Sequence, residues 1–61
     1  MNTSESLKAA FDTYVSENDK FTVKKVKASA ARARKALGEL AKLAKERRKE
    51  IQAEKEAMKN D

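Results

Sequence analysis

The 61-residue chain has no cysteine, histidine, tryptophan or proline, and it has a single glycine. Each absence closes a route. Without cysteine there is no disulfide, and without cysteine or histidine there is no structural zinc. A chain this short buries only about 60% of its unfolded surface, so oligomerisation is the remaining support for its core. Lack of cysteine also fits a reducing compartment. No apolar run approaches the roughly 18 residues of a membrane span, and no signal-peptide pattern precedes the first apolar stripe, so a soluble, cytoplasmic protein is expected. Missing histidine, cysteine and glycine-rich phosphate loops leave little for catalysis. Glu46 and Glu50 share a helix face but lack a metal partner set, so they read as a solvated acidic flank. No enzyme activity, cofactor or metal site is expected.

What is present forms helices. Eleven alanines stand among many Lys, Glu, Arg and Leu residues, all strong helix formers. Because 41% of the residues are charged, disorder competes, and periodicity decides against it. In "NTSESLKAAFDTYVSEN", Asn2 and Glu5 have capping-box spacing, and Leu7, Ala10, Phe11, Tyr14 and Val15 form one apolar stripe. This predicts a short helix over about residues 3–18, with "SENDK" supplying a turn over about 17–22. Thr22 is then the expected N-cap of a long helix over about 22–58, stapled by Phe21 and Val26.

One heptad register of the long helix places Val23, Ala30, Leu37, Ala44, Ile51 and Met58 at a, and Val26, Ala33 and Leu40 at d, with Arg47 and Glu54 following. Ala30 and Ala33 leave room for Phe11 and Tyr14 of the first helix, and core positions for these aromatics are favoured over base stacking. The expected fold is all-α: one domain over 1–61, a short and a long helix in an antiparallel helical hairpin. Leu37, Leu40, Leu43, Ala44, Ile51 and Met58 form a seam expected to join a homodimer as a coiled coil or bundle.

The net charge of +5 is unevenly placed. Residues 1–19 carry one Lys and four acids, whereas residues 20–38 carry seven basic residues and no acid. Projected at about 100° per residue, Lys24, Lys27, Arg34, Lys35, Lys42, Lys45 and Lys49 fall on one stripe, with Glu39, Glu46, Glu50 and Glu54 on another sector. Arg32 strays toward the acidic side, and Arg48 lies near the seam. A helix needing only solubility would intersperse the signs. Segregation costs self-repulsion, which a polyanion along the stripe relieves, so sequence-independent binding of double-stranded DNA through phosphates is the expected function.

The stretch "ASAARARKALGELAKLAKERRKEI" resembles the bacterial histone-like family typified by the chlamydial linker-histone-like proteins, and the similarity covers roughly residues 22 to 59. The resemblance implies a nucleoid-associated, DNA-compacting protein, with Arg32, Arg34, Lys35, Lys42, Lys45, Arg48 and Lys49 at the matching basic positions. The chlamydial type carries a long Lys/Ala-rich tail. This sequence is nearly neutral from Glu39 to Asp61, so the folded helix, doubled by dimerisation, is expected to do the binding. The alternatives are a coiled-coil protein–protein module and an RNA-binding accessory protein. Binding to an anionic membrane is disfavoured, because the apolar face is rich in Ala and lacks Trp.

Overall fold

A computed structural model describes residues 1–58; the last three positions of the expected 1–61 domain lie outside the described residues. The chain forms two α-helices, α1 (Thr3–Thr22) and α2 (Ala28–Met58), packed against each other as a hairpin. The expected all-α hairpin is what forms. Asn2 caps α1: its side chain accepts from the Glu5 N–H at 2.8 Å, while the Glu5 carboxylate accepts from the Asn2 N–H at 3.1 Å. This reciprocal pair satisfies two donors that a helix start leaves orphaned.

The helix boundaries differ from the expected ones. The polar cluster "SENDK" does not end α1, because it contains no Gly or Pro and its helical spacing is put to use. Glu17 reaches Lys20 one turn on at 3.5 Å and Arg32 across the pair at 2.8 Å. Thr22 is therefore the last residue of α1 and not the cap of α2, and the turn falls on 23–27. There the Val26 N–H donates to the Lys20 carbonyl at 3.0 Å, and Ser29 and Ala30 N–H groups start α2 on the Val26 and Lys27 carbonyls. Lys25 makes the reversal with φ at 61°, the left-handed region.

The contact line also differs. On α2 the buried and half-buried positions are Ser29, Ala33, Ala36, Leu40, Leu43, Arg47 and Glu50, alternating four and three residues apart as a heptad seam does, with Ala30 half-buried beside them. On α1 they include Thr3, Leu7, Ala10, Tyr14 and Glu17, with the same alternation. Small residues at the centre let the two axes approach closely. Leu40 and Leu43 are thus half-buried inside the hairpin rather than held back for a partner. Leu37, Ala44, Ile51 and Met58 are exposed, one column away. Phe11 does not fill the alanine groove: it is 53% exposed, with its ring 6.4 Å from that of Tyr14. Because Thr3 hydrogen-bonds Glu50, α2 runs on past the start of α1, and residues 51–58 are all exposed.

Two substitutions test this packing. Ala36→Leu forces the axes apart and is expected to destabilise the hairpin by about 1–3 kcal/mol, seen as a lowered Tm by circular dichroism. Lys25→Gly relieves the left-handed backbone and is expected to raise stability by up to about 1 kcal/mol in the same measurement.

Candidate nucleic-acid interface

Side chains pointing away from the α1 contact line define the outer edge of α2. Arg34, Lys35, Lys42, Lys45, Arg48 and Lys49 are all exposed there. Measured from that line, Lys45 lies nearly diametrically opposite, with Arg34 and Arg48 on one flank and Lys35, Lys42 and Lys49, spaced by seven residues, on the other. From Arg34 to Lys49 the helix rises about 22 Å, a length over which a duplex carries on the order of a dozen phosphates. Lys45, Arg48, Lys49 and Gln52 border a shallow depression on this edge. Lys24 and Lys27 are not on the helix: with Lys25 they occupy the turn, exposed at the N-terminal end of α2.

Ion pairing divides the cations into two sets. Lys8, Lys20, Arg32 and Arg47 each have a carboxylate within 3.5 Å. Among the described residues, the six outer-edge cations and the turn lysines have none. Glu39 and Glu46 lie one turn from Lys35, Lys42 and Lys49 without forming an ion pair with them, and three other carboxylates are engaged by other cations. Glu17 is taken by Lys20 and Arg32, and Glu50 and Glu54 are taken by Arg47 at 2.9 and 2.7 Å.

Arg32, expected among the phosphate contacts, is placed otherwise. Its Nε donates to the Glu17 carboxylate at 2.8 Å and its Nη2 to Ser29 Oγ at 3.2 Å, with Ser29 fully buried. The guanidinium hydrogen bond, opposed by desolvation and helped by Ser29, holds the Glu17 carboxyl below its usual range. At the open end, Thr3 and then Arg47 hydrogen-bond Glu50 and lower its pKa. Glu54 and then Glu50 raise that of Arg47. These two polar clasps, Glu17–Arg32–Ser29 and Thr3–Glu50–Arg47, set the register of α2 against α1 and so aim the basic edge outward. Neither was identified from the sequence. The signal available was the acid-free run after Lys20, which leaves Arg32 no local partner and sends it to α1.

Among the described residues no group of three or more His, Cys, Asp or Glu is placed to hold a metal ion, and no helix is long and apolar enough to cross a membrane. The profile of a protein family described as Hc1, histone H1-like protein Hc1, matches residues 1–57. No curated protein and no solved structure matches the chain. The match takes in α1 as well as the long helix, further than the stretch from which the resemblance was read.

The clasps make stability pH-dependent in a defined direction. Glu17 and Glu50 have lowered pKa values in the folded chain, so their contribution is complete above the ordinary value of 4.5. It is lost as pH falls below that value toward their folded pKa. Melting followed by circular dichroism between about pH 6 and pH 3 is expected to show Tm dropping on the acid side. The Glu17→Gln, Glu50→Gln double variant should start lower and depend less on pH.

Proposed function

The chain belongs to the histone H1-like protein Hc1 family, and on that premise we propose that it binds double-stranded DNA without base readout. It does so as a nucleoid-associated homodimer, laying the outer edge of α2 along the phosphate backbone. The observation that carries this reading is the row of six exposed outer-edge cations with no carboxylate partner among the described residues. Unpaired lysines and arginines at this spacing neutralise phosphates and release condensed counterions, which gives affinity that does not depend on sequence. Nothing on that edge is shaped to read bases: it has no aromatic side chain for stacking and no clustered Asn or Gln for base edges.

Arg34, Lys35, Lys42, Lys45, Arg48 and Lys49 carry the contacts, and Lys24 and Lys27 extend them around the turn. Arg32 acts at one remove, by holding α1 and α2 in register through Glu17. A histone H1-like family is not an enzyme family, and the role proposed here is architectural.

Retardation of a short duplex as a function of salt tests the reading. Six phosphate contacts per copy predict a slope of log K against log salt of about −5, at about −0.9 per contact. Replacing Arg34, Lys35 and Lys42 together by Ala is expected to flatten the slope by about 2.7 and to weaken binding to all sequences alike. Absence of retardation at low salt would overturn the proposal. Tighter binding to duplex RNA than to DNA would reassign the partner.

A further inference from the structure

The hairpin buries little of its apolar material. Phe11, Val15, Leu37 and Ile51 are each about half exposed, and their positions are not scattered. On α1, Phe11 and Val15 are rotated about 80–120° from the α2 contact line; on α2, Ala30, Leu37 and Ala44 are rotated about 70–110° in the same sense from the α1 contact line. Since the helices run antiparallel, equal sense of rotation brings both sets to the same face. The height matches as well. Glu17 meets Arg32 and Thr3 meets Glu50, so Val15 stands level with Leu37. The opposite face carries two hollows that mix apolar residues, among them Ala10, Ala36 and Leu43, with Arg32, Lys35 and Glu39.

We infer that a second copy of this chain docks on the Phe11–Val15–Leu37 face with its α1 lying over the partner's α2, and that the dimer presents its two basic edges on opposite sides, so that one dimer bridges two DNA duplexes. Two observations select a second copy as the occupant. Among the described residues only Ser29, Ala33 and Ala36 are buried, a core too small to hold a two-helix chain without added contacts. The second is charge. Asp19 rims the apolar face on the α1 side, and Arg34, at the flank of the basic edge, rims it on the α2 side at nearly the same height, while Asp12 is already paired with Lys8.

That charge pattern chooses between two symmetric arrangements. A two-fold axis perpendicular to the helices and lying in the interface stacks α1 on α1, sets acid against acid and base against base, and puts both basic edges on one side. A two-fold axis parallel to the helices stacks α1 on the partner's α2, sets the acidic rim against the basic one, and puts the basic edges on opposite sides. Complementarity favours the second. The same axis preserves height, so Val15 faces Leu37 of the second copy. Docking stands on the apolar face and its rim; bridging rests in addition on the DNA-binding reading.

The absence of cysteine makes the test clean. Single variants Val15→Cys and Leu37→Cys, mixed and oxidised, are expected to give a 15–37 intermolecular cross-link in preference to either homodimeric one. Wild-type protein should sediment as a dimer, and a biotinylated duplex coated with it should capture a second, labelled duplex. Leu37→Glu should sediment as a monomer, still retard DNA, and lose capture of the second duplex. A wild-type monomer by sedimentation overturns the docking, as does a predominant 15–15 or 37–37 cross-link. A 15–37 cross-linked dimer that retards DNA without capturing a second duplex overturns the bridging. A cross-linked dimer that retards no DNA leaves the docking standing and removes the nucleic-acid reading.

Discussion

The close approach of α1 and α2 across Ser29, Ala33 and Ala36 is the constraint from which the rest follows. Small side chains on the contact line let the axes come near, and that proximity is what brings Arg32 within 2.8 Å of Glu17 and Thr3 within reach of Glu50. It also leaves little room for large side chains beside Ser29, Ala33 and Ala36, so that even Leu7, Tyr14, Leu40 and Leu43 on the same contact line are only half-buried. Phe11, Val15, Leu37 and Ile51 are therefore displaced to the surface. A hairpin cemented by leucines would have hidden them and left no apolar face to explain.

Much of the architecture was legible because its determinants are local. The Asn2–Glu5 box is a three-residue pattern and formed as read. The helix-forming composition and the paired stripes predicted a hairpin, and a hairpin forms. What could not be read was which of two neighbouring columns of α2 would face α1. Both share Ala33, Leu40 and Arg47, and they differ in pairing these with Ala30, Leu37, Ala44 and Ile51 or with Ser29, Ala36, Leu43 and Glu50. Hydrophobicity favours the first set. The second prevails because Ser29 and Glu50 find partners on α1, and partner identity across a chain reversal leaves no trace in periodicity. The same blindness assigned Arg32 to phosphate contacts when it serves as a clasp. The outward placement of Arg34, Lys35, Lys42, Lys45 and Lys49 was legible, since sector membership depends only on helical pitch.

The polar clasps and the basic edge divide the labour of the charged residues. Exposed ion pairs contribute little to stability individually, so the value of Glu17–Arg32 and Thr3–Glu50–Arg47 lies in register more than in energy. Glu39 and Glu46 flank the outer cations without pairing with them, so no internal ion pair has to be broken before that edge meets a foreign anion.

Residues 51–58 continue α2 beyond the start of α1 with no helix beside them. Local opening there exposes almost nothing that was buried, so amide protons in this stretch exchange by cheap excursions while those near Ala33 and Ala36 wait for separation of the helices. The Arg47–Glu54 pair straddles the boundary at 2.7 Å and is itself subject to screening by salt. Raising the ionic strength consequently weakens the ion pair that ties this overhang back to the part of α2 lying against α1.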